Sequence, residues 1–160
     1  MRITQELEKL SATAKAEVAT RIGEMISLKS AMHAVVERSA GAVACAACGG
    51  KCCTCGKYHV SGIDLVAYLV TGKEIFTPVF TGESCPFLDQ DHCLMPPGHR
   101  PYNCITFACE FIECGFSGQD KENFYAMERE LRLLYQKLQQ YLPDRRMGRS
   151  VMGFLQHEDR

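Results

Sequence analysis

Residues 45–55 read CAACGGKCCTC, which puts five cysteines in eleven positions and makes two of them, Cys52 and Cys53, neighbours. Five more follow at Cys85, Cys93, Cys104, Cys109 and Cys114, so all ten cysteines fall between residues 45 and 114 and none in the flanks. Thiols crowded in this way either bridge one another or converge on a metal, and the redox compartment decides which. Residues 1–30 carry charges every few positions and no apolar run of secretory or membrane length, so nothing in them predicts export. A cytoplasmic chain with reduced thiols is the expectation. The adjacent Cys52 and Cys53 also cannot bridge each other without strain. Metal ligation is therefore the preferred reading.

Cys45 and Cys48 have the two-residue gap of a metal knuckle. The small residues around them, Ala46, Ala47, Gly49 and Gly50, suit the tight turn such a knuckle needs. Downstream, the segments that carry the remaining cysteines are rich in turn formers, and LMPPGHRPYN (94–103) is not expected to be regular structure. TPVFTGES (77–84) reads as extended chain or loop. Between them and the opening cluster, SGIDLVAYLVTG (61–72) predicts one short helix, with Ser61 as its cap, Asp64 in its first turn and Gly72 at its end.

The flanks are helical. Ile3, Leu7, Leu10, Ala14, Val18, Ile22, Met25, Leu28, Met32 and Val35 recur at steps of three or four and form one apolar stripe, with charged residues on the other faces. Gly23 is the candidate for a bend or break in this run. On the far side, Phe124, Met127, Leu131, Leu134, Leu138 and Tyr141 mark a second amphipathic helix that starts near Ser117 and is stopped by Pro143. Arg145, Arg146 and Arg149 then read as a solvated basic tail.

The expected fold is mainly α. A long N-terminal helix and a C-terminal helix pack around or beside an irregular, cysteine-rich, metal-binding core. The 160 residues suit one domain, divided into a helical segment (1–40), the cysteine core (41–116), a helix (117–142) and a tail (143–160). A net charge of −1 offers no global case for nucleic-acid or membrane binding. A protein partner is compatible with this reading, and oligomeric state is not legible. There is no phosphate-cradling glycine loop, and no spacing singles out a histidine–cysteine pair for hydrolysis.

CAACGGKCC (45–53), CPFLDQDHC (85–93) and RPYNC (100–104) together resemble the bacterial zinc- or iron-chelating cysteine-cluster proteins, the CxxCxxCC or YkgJ-like family. The resemblance covers residues 45 to about 114. It implies metal ligation by Cys45, Cys48, Cys52, Cys53, Cys85, Cys93 and Cys104, with Cys109 or Cys114 as the eighth ligand and Cys109 taken first. Cys55 has no counterpart in the pattern. The gap after Cys48 is three residues, where the family name implies two. Larger relatives of the family include flagellin lysine N-methylases, so a redox or methyl-transfer enzyme is the alternative to a non-catalytic metal-binding protein.

Eight thiolates exceed the four that one zinc takes. They fit two zinc ions or an iron–sulfur cluster, and Pro86 after Cys85 matches a step found in bacterial ferredoxins. Cys48, Cys52 and Cys55 also have the CxxxCxxC spacing of radical S-adenosylmethionine enzymes, although the chain is short for one and lacks the alternating strands and helices. Around the thiols, Arg100 is expected to hydrogen-bond sulfur or clamp a carboxylate such as Asp89, and Lys51 to lower thiol pKa values. His59, His92 and His99 are alternative ligands. Phe87, Leu88 and Phe107 are expected to form a dry shell.

Overall fold

The computed structural model describes residues 2–39, 41–49, 51–75, 78, 85–89, 92–142 and 144–151. Seven α-helices carry the described chain: α1 (Arg2–Glu8), α2 (Ala12–Arg38), α3 (Gly41–Cys48), α4 (Gly62–Thr71), α5 (Tyr102–Thr106), α6 (Glu110–Glu113) and α7 (Gly118–Tyr141). Short 3-10 segments lie at Lys51–Tyr58, Pro97–His99 and Arg145–Gly148. Among the described residues the one sheet is a minimal antiparallel pair, β1 (Leu88–Asp89) and β2 (His92–Cys93), with Leu88 opposite Cys93. The fold is mainly α, as the periodicities predict.

The two long helices are the frame. α2 runs 27 residues, which is about 40 Å of rise. Its apolar stripe packs along α7 and sends Ile22, Met25 and Met32 fully inside, against Phe124, Leu131 and Leu138 of α7. The break in the N-terminal run comes at Ser11 and not at Gly23. Ser11 turns to an extended backbone and its hydroxyl accepts the Ala14 amide at 3.2 Å, so it caps a new helix, whereas Gly23 lies inside α2. Arg146 and Arg149 of the basic tail are exposed, as expected, but the tail is also anchored. Met147 is buried in the apolar core, Ser150 bridges to Ser61, and the Val151 amide donates to the Val60 carbonyl at 2.7 Å.

α4 behaves as its sequence requires. Ser61 Oγ accepts the Asp64 amide and the Asp64 carboxylate accepts the Ser61 amide, a reciprocal cap that satisfies two otherwise orphaned donors. The helix ends at Gly72, whose φ of 62° is left-handed. TPVFTGES lies outside the described residues except for Pro78, and so does Pro143. LMPPGHRPYN makes a 3-10 turn that rests on α2 and then enters α5.

The main apolar cluster contains none of the ten cysteines, although Cys85 is buried beside it. The cysteine-rich segment lies beside the helical frame, and α3 touches both α2 and α6. The physical reason is that the long stripes of α2 and α7 already bury each other, leaving the thiol segments to pack on the flank. Among the described residues no helix is long and apolar enough to cross a membrane.

Candidate metal centre

All ten cysteines are free thiols. The opening cluster is more helical than a knuckle. Cys45 and Cys48 lie on the last turn of α3, where Cys48 Sγ donates to the Cys45 carbonyl at 3.3 Å. The left-handed Gly49, at φ 62°, then lets the chain turn into the 3-10 segment carrying Cys52, Cys53 and Cys55. Cys85 precedes β1 and Cys93 lies in β2, Cys104 lies in α5, and Cys109 and Cys114 cap the two ends of α6.

The electrostatic neighbours of the shifted thiols divide the eight expected ligands into two groups. Burial first, then Cys52, Cys48 and Cys109, push the Cys45 thiol up, while the Arg100 guanidinium opposes them. Burial first, then Cys52, Cys85 and Cys93, push Cys53 up to about 12. Cys104 is exposed as a residue, yet its sulfur is tucked inward. Burial is the first cause that lifts it to about 12, followed by Cys93, Cys85 and Cys53. Cys85 is raised by burial, and the Phe87 amide and Lys57 pull it back. Cys45 is thus associated with Cys48, Cys52 and Cys109, and Cys53, Cys85, Cys93 and Cys104 with one another, and the two groups overlap because the first thiol neighbour of Cys53 is Cys52. The Cys52–Cys53 pair belongs one residue to each and stitches them together.

Such mutual shifts arise because ionising one thiol beside others is costly without a cation. The groups are neighbours rather than closed shells. Among the described residues no three His, Cys, Asp or Glu side chains are drawn together tightly enough to hold a metal ion. Cys55 and Cys114 contribute to none of the four shifted thiols, and both are exposed.

Gly56 sets the approach of two elements. A Cβ there would meet Cys85 Sγ at 2.7 Å, so only glycine lets the 3-10 segment press onto Cys85. This packing brings Cys53 and Cys85 into one group.

Several supporting roles differ from expectation. Arg100 donates from Nε to the Met95 carbonyl at 3.0 Å and from Nη1 toward His33 Nδ1 at 3.4 Å, and its charge acts on Cys45. Among the four shifted thiols, the lysine that favours a thiolate is Lys57, at Cys85. Phe107 is 58% exposed and forms no dry shell, because α5 ends at Thr106 and turns it outward. Phe87 and Leu88 are half-buried. His59 Nδ1 lies 3.3 Å from Cys104 Sγ. His99 faces elsewhere, with its ring 4.8 Å from that of Tyr68 and Nε2 3.2 Å from Thr71 Oγ1. The His92 side chain lies outside the described residues.

Behind the second group is a polar network that the sequence reading missed. Lys29 is wholly buried on the apolar stripe of α2 and pairs with Asp64 Oδ1 at 3.1 Å, while also donating to the Arg100 carbonyl at 2.6 Å. Tyr135 of α7 donates to the same Asp64 oxygen, and Ser61 Oγ donates to the other at 2.6 Å. Burial pushes the Lys29 pKa down, opposed by Asp64 and by Cys104. Tyr68 is a second omission. Its hydroxyl is buried with no hydrogen-bond partner among the described residues, and burial followed by Cys93 raises it to about 12. The visible signal for Lys29 was a charge at a stripe position, four residues after Met25 and three before Met32.

No family model, no curated protein and no solved structure matches this chain.

Proposed function

We propose that this chain is a metal-binding cysteine-cluster protein, holding zinc ions or iron–sulfur clusters on two groups of four thiolates. The observation that carries the reading is that the shifted thiols and their neighbours take in all eight expected ligands, in two overlapping groups that meet at Cys52 and Cys53. Four thiolates are the complement of one structural zinc and equally of one iron–sulfur cluster. The donor chemistry fits both. Soft sulfur suits either metal, and a cation at each group would supply the positive charge that lets thiols held near pKa 12 ionise. Ten free thiols also suit a reducing compartment, so the reading includes a cytoplasmic location.

Cys45, Cys48, Cys52 and Cys109 would hold one centre, with the Arg100 charge beside it. Cys53, Cys85, Cys93 and Cys104 would hold the other, with His59 against Cys104. In this reading ligation draws the neighbouring sulfurs into closed shells and orders the glycine- and proline-rich segments around them. The test is anaerobic purification followed by elemental analysis and visible spectroscopy. Two zinc ions per chain without colour, or iron with inorganic sulfide and a brown colour, would each support it. Metal-free protein with an unchanged melting temperature on adding either metal would reject it.

A further inference from the structure

Tyr68 sits in the middle of α4 and is 2% exposed, yet its hydroxyl has no hydrogen-bond partner among the described residues. Buried tyrosine hydroxyls usually find a partner, because a dry, unpaired one has given up its bonds to water for nothing. The ring is wedged in place. It packs at 4.8 Å and 58° against the ring of His99, which is itself buried and paired through Nε2 with Thr71 Oγ1, near the end of the same helix.

The electrostatic neighbours of the hydroxyl are Cys93 and Asp64. Asp64 lies one turn before Tyr68 on α4, on the side toward which helical side chains lean. Its carboxylate is already full. Oδ1 accepts Lys29 and Tyr135, and Oδ2 accepts the amide and hydroxyl of Ser61, which takes up its lone pairs. Cys93 is the neighbour that is left. It stands in β2 and acts on both Cys53 and Cys104 of the second thiol group. A neutral thiol is a weak acceptor, whereas a thiolate accepts a charge-assisted hydrogen bond. The two atoms are not hydrogen-bonded here, just as the sulfurs of the group are neighbours and not a closed shell.

We propose that the Tyr68 hydroxyl donates a hydrogen bond to the Cys93 thiolate when the second thiol group closes around its metal, and is a positioning residue for that centre. This role rests on the metal-binding reading and adds to it the donor that fixes how Cys93 turns. Such a donor draws charge off a ligating sulfur and holds it in one orientation. In an iron–sulfur centre it also tunes the reduction potential. The same contact satisfies the buried hydroxyl, so ligation and the burial of Tyr68 support each other.

Tyr68→Phe removes the oxygen and keeps the ring, which separates this role from packing. Cobalt(II), added anaerobically to the full chain after verified metal removal, is the probe, because charge transfer from thiolate to cobalt reports on the sulfurs. In the variant the charge-transfer band should move to lower energy. One bound cobalt should be held about tenfold less tightly against a competing chelator, while the other keeps its wild-type affinity. Without metal the variant should melt at or above the wild-type temperature, since it sheds an unpaired buried hydroxyl. A hydroxyl that serves only the fold would give the reverse, a metal-free variant that melts lower. That result, or a variant with wild-type band and retention, would overturn the proposal and leave the metal-binding reading standing. A wild-type chain that gives no thiolate–cobalt band would remove that reading and this role with it.

Discussion

Lys29 Nζ lies 3.1 Å from Asp64 Oδ1, and both side chains are essentially absent from the surface. The pair joins α2 to α4, and Tyr135 extends it to α7 by donating to the same carboxylate. Burying two charges is costly, so this pair stabilises the fold only because every lone pair of Asp64 has a donor. Its consequence is geometric. It fixes how three helices meet beneath the second thiol group.

Removing one partner should therefore be severe. Lys29→Met leaves a buried carboxylate without its cation and is expected to cost about 3–5 kcal/mol, read from the urea midpoint. Adding Asp64→Asn should recover part of that loss. A double variant no more stable than Lys29→Met would show that the two residues are not coupled.

The Tyr135 hydroxyl gives a pH dependence of known sign. Burial, then Asp64, hold its pKa well above the usual 10.0. The folded state thus keeps a proton that the unfolded chain sheds above pH 10, so this stabilisation is full below that pH and lost as pH rises past it. Tyr135→Phe should cost about 0.5–1.5 kcal/mol at pH 7, and the gap to wild type should narrow by pH 11 in denaturant titrations. A constant gap would contradict the assignment.

The thiols divide into those that should matter and those that should not. Cys53→Ser or Cys104→Ser should lower bound metal at the second group, and Cys45→Ser or Cys109→Ser at the first, by elemental analysis. Cys55→Ser and Cys114→Ser should retain the full complement. Loss in the last two would mean that the grouping is wrong.

Gly56 tests packing without replacing a sulfur ligand. The new Cβ of Gly56→Ala would displace Cys85 Sγ, now 2.7 Å from where that carbon would stand. Overpacking of this kind costs about 1–3 kcal/mol. Metal retention against a competing chelator should fall about tenfold, while Gly118→Ala, where nothing lies within 4 Å, should leave it unchanged.

Chelation gives the broadest check. If ligation orders the cysteine segment, verified metal removal should lower the melting temperature and increase amide exchange across residues 41–116, while α2 and α7 stay protected by their mutual packing.

Local chemistry was legible in the sequence alone. Ser61, Asp64 and Gly72 mark the ends of α4 because caps act within one turn. The stripes of α2 and α7 follow from side-chain periodicity, and the cysteine clustering is visible in the chain itself. Other features depend on distance. Lys29 meets Asp64 across 35 residues, and no local rule says which buried charge answers another. Which cysteines share a neighbourhood, that Arg100 turns to Met95 and His33, that Phe107 points out, and that Tyr58, Tyr135 and Ser150 line one open cavity were decided only when the helices packed. Periodicity and capping are short-range and leave a trace in adjacent letters. Partner choice among buried charges and thiols is set by how whole helices exclude water together, and that is a property of the folded chain.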